Sequence, residues 1–414
     1  MSGSVSGSVS DVQSGESPGP HAPRRGIDRP ITLLFTSHTP FLGGAELALV
    51  ELVRCIVPTG NVSVHVALPR SGPLESLLRE AGATTWVRRY SPWTVSAKSL
   101  TSPARRLRRA ARSCLGAVQL ALLIRRIKAD VVITNTITIP SAALAATITR
   151  TPHIWYIHEF GVLDHGLRFD LGFNLSRRII RAISSEIVVN SHSVRSELFG
   201  ESSENQVRTL YYAIDTPPGC IGPPDSQPEF SAVLVGLKTP SKGQADAIRA
   251  IGLLRQRGID MPLTLVGASA PGYDAVLRRL AQTLGVADLV ECVDFTRDPF
   301  EHVARSQVAL MCSRFEAFGR VTVEAMKLGT PVIAASSGGT MELVRDGFNG
   351  LTYTPGDIKG LADCLQRLRS NPGLRHQLGE NARSWSTETF SAQKYADGFL
   401  QVVDRVLPAA RKGR

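Results

Sequence analysis

Several features common in other protein classes are missing from this 414-residue chain. It has no apolar stretch that reads as a membrane span. The most apolar run, Gly116 to Ile124, falls far short of the roughly 20 residues a bilayer requires. Arg112 and Arg125-Arg126 flank it. The first thirty residues lack the apolar segment of a secretory signal and hold mainly Ser, Gly and Pro, so residues 1–30 read as a disordered leader. The six cysteines, at 55, 114, 220, 292, 312 and 364, show no C-x-x-C or Cys/His spacing. That argues against a metal site and a disulfide framework, and fits a reducing, cytoplasmic setting. Neither half carries G-x-G-x-x-G after its first strand, which disfavours a dinucleotide-dependent dehydrogenase.

What is present belongs to a globular protein, with 43% hydrophobic and 20% charged residues and a mean hydropathy of zero. The length suits two domains. The formal charge of +11 is uneven: residues 31–215 carry 21 Lys and Arg against 13 Asp and Glu. Short apolar runs alternate with longer amphipathic segments, the pattern of βαβ units and parallel sheets. In the first half the runs are Ile31–Ser37, Val62–Leu68, Thr84–Arg89, Asp130–Thr134, His153–Ile157, Glu186–Asn190 and Arg208–Ala213. Helical segments fall at Ala45–Ile56, Ser102–Ile127, Ser141–Thr149 and Leu175–Ile183. Five prolines and two glycines in Thr216–Pro228 break the alternation and predict a linker. It restarts with Ala232–Val235, Leu263–Val266, Leu289–Phe295, Val308–Cys312, Pro331–Ala335 and Gly350–Tyr353. The expected organisation is therefore two Rossmann-like doubly wound domains, 31–215 and 229–385, facing a cleft. A terminal segment, 386–414, is expected to form a helix packing back toward the first domain. Ligands of such sheets bind beyond the carboxyl ends of the strands.

Two loops in the second domain carry candidate chemistry. Gly236 ends a strand, and Leu237-Lys238-Thr239-Pro240-Ser241-Lys242-Gly243 leads into a helix. A lysine at a helix start suits a phosphate, because free N–H groups and an ammonium converge there. A solvated surface turn is the alternative. After Val308–Cys312, Glu316 and Glu324 lie eight residues apart, with Phe318, Gly319 and Arg320 between them. If the whole span were helical it would rise about 12 Å. Two carboxylates at that separation suit the sugar and ribose hydroxyls of one extended ligand, with a diphosphate between them.

The stretch from Glu316 to Glu324 resembles the E-x7-E signature of the family 4 (GT4) glycosyltransferases, which have the GT-B fold. Gly329-Thr330-Pro331, Ser337-Gly338-Gly339-Thr340, Glu342, Asp346-Gly347, Asn349-Gly350 and Pro355-Gly356-Asp357 continue the likeness. It covers most of the second domain and thins to short motifs in the first. The resemblance implies a retaining hexosyltransferase of polysaccharide or glycolipid synthesis. It implies a nucleotide-sugar donor and a glycan, lipid-linked or small-molecule acceptor, with no cofactor and no metal. Glu316 would bind the donor sugar, Glu324 the ribose and Lys242 the diphosphate. Main-chain N–H groups at Phe318, Gly319 and Arg320 would meet the sugar and diphosphate. The family usually has arginine directly after the glycine equivalent to Gly236, whereas Leu237 stands here; Lys238 is the candidate replacement, as a point charge and not a fork.

In the first domain, Gly43-Gly44 before a helix would let backbone approach a ligand, and GT4 proteins commonly have such a loop facing the cleft. A tight turn without a ligand is the alternative. His158, beside Glu159 at a strand end, resembles the family's histidine there and is a candidate to bind the donor sugar or polarise an acceptor hydroxyl. Asn135 and Asn190 also end strands but carry no functional expectation. Ser102–Ile127 reads as a basic amphipathic helix, with Arg105, Arg106, Arg108, Arg109 and Arg112 outward and Leu107, Cys114, Leu115 and Val118 on the other side. A solvated outer face explains it, and so does contact with an anionic membrane at the inner face. No nucleic-acid motif accompanies the charge. Other functions on the same frame are a phosphorylase, an epimerase and a non-catalytic nucleotide-sugar binder.

Overall fold

The computed structural model describes residues 29–97, 99, 102–200, 206–217, 230–296 and 298–407. Nearly all of the expected leader, most of the 216–228 linker and Cys220 lie outside them.

The first domain contains β1 (Ile31–Thr36), α1 (Gly44–Ile56), β2 (Val62–Leu68), α2 (Pro73–Glu80), β3 (Thr84–Val87), β4 (Thr94–Ser96), α3 (Pro103–Ile127) and β5 (Val131–Thr134). It continues with α4 (Ser141–Thr149), β6 (His153–Ile157), β7 (Leu167–Phe169), α5 (Phe173–Ile183), β8 (Glu186–Val189), α6 (His192–Phe199) and β9 (Val207–Thr209). Seven strands form a parallel sheet in the order β3-β2-β1-β5-β6-β8-β9. β1, β5, β6 and β8 are buried along their whole length, which is why they read as continuous apolar runs rather than alternating ones.

The second domain contains β10 (Ala232–Val235), α7 (Gln244–Gln256), β11 (Leu263–Val266), α8 (Tyr273–Thr283), β12 (Val290–Val293), α9 (Phe300–Arg305) and β13 (Val308–Met311). Then come α10 (Arg320–Leu328), β14 (Val332–Ala335), α11 (Thr340–Leu343), β15 (Gly350–Tyr353), α12 (Ile358–Ser370), α13 (Pro372–Thr389) and α14 (Ala392–Val406). Its six parallel strands run β12-β11-β10-β13-β14-β15. The chain thus folds as two doubly wound α/β domains, the GT-B arrangement.

One buried apolar cluster joins the domains, with Phe35 and Leu52 from the first, and Phe318 and Met326 from the second. α14 packs on the first sheet: Phe399 stacks on Phe35 at 5.7 Å between ring centres, and the Tyr395 hydroxyl lies 3.0 Å from that of Tyr156.

Three local differences from the sequence expectation have physical causes. β9 ends at Thr209, because Tyr211 and Tyr212 leave the sheet to pack on Phe318 of the second domain, at 5.9 and 4.7 Å. The three-residue strands β4 and β7 pair only with each other, antiparallel, and neither stands out from its neighbours in sequence. In α3 the packed face is Ser113, Gly116, Ala117, Leu120, Ala121, Leu123 and Ile124. Leu107, Leu115 and Val118 lie on the exposed face instead, with Cys114, because Gly116 brings the helix backbone against Tyr90 and Arg89.

Candidate active site

In the second sheet the strand order reverses between β10 and β13, and the loops following these two strands meet. Gly243 (φ +75°) caps α7, and a Cβ there would run into the Cys312 carbonyl oxygen, so only glycine permits this approach. Arg314 N–H donates to the Ser241 carbonyl at 3.2 Å, stitching the loops together. Lys242 Nζ then reaches Glu316 Oε2 at 2.7 Å. Two residues 74 positions apart thus form one charged pair at the switch point.

Next to this pair is the start of α10. Gly319 (φ +98°) precedes it without a side-chain cap, leaving first-turn N–H groups for a ligand. Phe318 is buried against Tyr212. Gly339 N–H donates to the Glu316 carbonyl at 2.7 Å, and a Cβ on Gly338 would strike that same oxygen. The Ser337–Thr340 run therefore shapes the Glu316 loop by close backbone contact. Thr322 Oγ1 and Thr340 Oγ1 are buried without hydrogen-bond partners, as expected beside a site that a polar ligand completes.

Lys238 does not join the site. Its ammonium donates to the Val293 carbonyl at 3.0 Å and pairs with Asp274 at 3.1 Å, toward β11 and β12. The pairing of Lys238 with Ser269 backbone, as an isolated bridge beside β11, turns its side chain to that edge. It is 1% exposed, and its ammonium is held by these two partners. Leu237 is 53% exposed and supplies no charge.

Across the domain boundary, the Arg320 guanidinium grips Glu51 of α1 with two bonds, 2.5 and 2.8 Å, and reaches Glu324 Oε1 at 3.3 Å. Burial opposes the Arg320 charge, but hydrogen bonding and attraction from Glu51, with Glu324, outweigh it and raise its pKa. Burial pushes the Glu51 carboxyl up against the pull of Arg320. A Cβ added to Gly44 would lie 4.0 Å from Arg320 Cδ, so the Gly43-Gly44 loop runs close to this second-domain side chain. Behind it, buried Glu46 accepts from Ser37 Oγ at 3.1 Å and lies 3.3 Å from His38 Nδ1. Burial raises the Glu46 pKa and lowers that of His38.

His158 sits in a closed hydrogen-bond chain. Asn135 Nδ2 donates to the Ala45 carbonyl, so its Oδ1 accepts, at 2.8 Å, from His158 Nε2–H. His158 Nδ1 is then the acceptor for the Tyr212 hydroxyl at 2.5 Å, and Asn190 Nδ2 donates to Tyr212 Oη at 2.9 Å. Burial lowers the His158 pKa to about 3, which keeps the ring neutral. Both ring nitrogens of this candidate histidine are thus engaged within the first domain. Glu159, also buried, accepts from Thr136 Oγ1 at 2.6 Å and from the His158 N–H at 3.0 Å. It fixes the strand end that carries the histidine.

Sequence reasoning passed over Asn135 and Asn190 as ordinary strand ends and did not find Glu51, Tyr212 or the role of Glu342. Glu342 accepts from His192 N–H, Ser193 N–H and the Tyr211 hydroxyl at 2.9, 2.7 and 2.7 Å, so a second-domain carboxylate caps α6 of the first. Only the pairing of two distant segments reveals it. Among the described residues, no group of three or more His, Cys, Asp or Glu side chains is arranged to hold a metal ion.

Two parallel-sheet domains with a phosphate-suited loop at the switch point define a protein of the GT-B class. The family described as "Glycosyl transferases group 1" matches residues 225–385, and "Glycosyltransferase Family 4" matches residues 42–217. The chain belongs to these family 4, group 1 glycosyltransferases. It is 28% identical over 239 residues to an MMP alpha-(1->4)-mannosyltransferase of Mycolicibacterium hassiacum, covering 56% of this chain and 57% of that one. It is 34% identical over 189 residues to a D-inositol 3-phosphate glycosyltransferase of Salinispora arenicola, covering 44% and 42%. The chain thus spans about half the length of the curated relatives it matches. In fold it is similar to Anabaena Alr3699/HepE, solved in complex with UDP and glucose, with a TM-score of 0.73, 22% identity and coverage of 90% and 99%.

Proposed function

We propose that the protein transfers a glycosyl group from a nucleoside-diphosphate sugar to an acceptor hydroxyl, with retention at the anomeric carbon and without a metal or cofactor. The observation that carries this is the Lys242–Glu316 pair at 2.7 Å beside the uncapped start of α10. It offers a cation and N–H groups for a diphosphate, and a carboxylate for sugar hydroxyls. The names of the sequence relatives, and the UDP and glucose held by the HepE structure, support the same donor class.

On donor binding the diphosphate takes over Lys242 from Glu316, which is freed to accept from the sugar. The bond between the anomeric carbon and the phosphate oxygen breaks, and the nucleoside diphosphate departs with the electron pair. Lys242 and the helix N–H groups stabilise the charge that develops there. The acceptor oxygen bonds to the same face of the oxocarbenium-like centre, and its proton passes to the departing phosphate oxygen. Glu324 holds the ribose, which competes with Arg320 for the carboxylate. The His158–Asn135–Tyr212 chain holds the first domain's wall of the cleft in one geometry.

The acceptor is a hydroxyl compound reached through the Gly43-Gly44 side. NMR of the product made with an active donor and acceptor tests the reading. An anomeric configuration equal to that of the donor, with turnover unchanged in chelator, supports it. Inverted product or loss of turnover in chelator overturns the corresponding part.

A further inference from the structure

α3 has a face that the transfer reading does not use. At about 100° per residue, Leu107, Ala111, Leu115, Val118 and Leu122 fall within an arc of about 80°, opposite the packed face. The four large residues of this stripe are 73%, 63%, 53% and 63% exposed. Four exposed aliphatic side chains in one row are more than scattered surface leucines. The helix contains seven arginines and no Asp or Glu. Six of them, Arg105, Arg106, Arg108, Arg112, Arg125 and Arg126, are exposed. The seventh, Arg109, pairs with Asp170 and anchors the first half of the helix to the residue that follows β7.

We infer that α3 is a docking surface for an anionic lipid bilayer, lying in the interface with the Leu107–Leu122 stripe inserted and the arginines at the level of the lipid phosphates. Arg108, Arg112 and Arg126 flank the stripe at about 100–140° from Leu107, where long side chains can follow the apolar surface while their guanidinium groups meet phosphate. The charge selects this occupant. A second copy packed on α3 by two-fold symmetry would set arginine against arginine with no carboxylate in either helix to offset it. An anionic surface meets the same arginines with opposite charge.

The topology gives the docking a consequence. α3 connects β4 to β5 and runs antiparallel to the sheet strands, so its arginine-rich beginning lies at the carboxyl ends of the strands, the end that carries the Gly43-Gly44 loop and His158. A protein seated on α3 thus holds its cleft mouth near the bilayer. This inference is independent of the transfer reading, because it concerns a face outside the donor site.

The test is co-sedimentation of the full chain with phosphatidylcholine vesicles, with and without phosphatidylglycerol, at low and raised salt. Light scattering reports oligomeric state. The protein is expected to sediment with the phosphatidylglycerol vesicles only, less so in raised salt. Leu115→Glu/Leu122→Glu is expected to lower the partition coefficient at least about ten-fold, with circular dichroism and binding of nucleoside diphosphate unchanged. Arg108→Gln/Arg112→Gln is expected to remove the preference for phosphatidylglycerol in the same assay. Failure of the wild type to sediment with either vesicle overturns the inference. So does a dimer that the Leu115→Glu/Leu122→Glu substitutions dissociate, which would give the stripe to a second copy.

Discussion

The Glu51–Arg320–Glu324 cluster allows a quantitative test of how the two domains hold together. Arg320 belongs to the second domain, and its two shortest bonds cross to Glu51 in the first. All three side chains are largely shielded, at 14%, 12% and 11% exposure for Arg320, Glu51 and Glu324. Removing one partner of a buried pair costs about 3–5 kcal/mol, because the other charge stays buried. Arg320 would keep Glu324 after Glu51→Ala, which places that variant near the lower end, about 3 kcal/mol. With about 2.1 cal/mol/K of unfolding entropy per residue, each kcal/mol shifts the melting temperature of the 414-residue chain by about 1 °C, so a fall of about 3–4 °C is expected. Replacing both partners, as Glu51→Ala/Arg320→Met, removes both buried charges of the bond and is expected to recover most of the loss, with a coupling of about 2 kcal/mol. Arg320→Met alone leaves Glu51 with a carboxyl that burial already pushes up. A carboxyl with a raised folded pKa contributes stability at low pH and loses it as pH rises through that pKa. The single variant should therefore be relatively more stable at pH 5 than at pH 8, compared with wild type. Melting curves of the four proteins across that range give the answer. Additive effects, or a loss below about 1 kcal/mol for Glu51→Ala, would show that this bond does not hold the two domains together.

Further expectations follow from the same geometry. Gly243→Ala puts a Cβ into the Cys312 carbonyl at a φ of +75°, displacing Lys242, and should weaken nucleoside diphosphate binding at least about ten-fold by calorimetry. Unchanged binding would show that the loop does not depend on this approach. His153 is buried and its pKa falls to about 3, so its contribution to stability is present above pH 6.5 and is lost as pH falls toward 3. The stability difference between wild type and His153→Gln should shrink by about 1.4 kcal/mol per pH unit below 6.5 in urea melts, whereas a constant difference would contradict a buried neutral ring. Glu342→Ala removes the acceptor for two N–H groups of α6 and should speed hydrogen exchange at His192 and Ser193, with a stability loss of about 1–2 kcal/mol.

Most of the fold was readable because parallel strands buried on both faces are continuous apolar runs, and their lengths in sequence matched β1, β2, β6 and β10 to β15 within a few residues. β4 and β7 were not readable, since three residues carry no period and their pairing joins segments about 70 positions apart. In the site, Lys242, Glu316 and Gly319 were legible from strand-loop-helix position. Lys238 was not, because its neighbour sequence cannot show that α8 and β12 offer Asp274 and the Val293 carbonyl. Arg320 was credited with its main chain, while its side chain answers to Glu51, 269 residues away. For α3, the apolar residues were visible but their direction was not. Gly116 sets it by admitting the backbone of Tyr90, a contact that no helical period encodes.

The most direct measurement of the central claim is nucleoside diphosphate release from UDP-, GDP-, TDP- and ADP-sugars by wild type, Lys242→Ala and Glu324→Ala. Release from one nucleotide class is expected, with a fall in kcat of at least about 100-fold for Lys242→Ala and a higher KM for Glu324→Ala. A wild type that neither binds nor turns over any of these donors would contradict it, as would a Lys242→Ala variant that keeps full kcat.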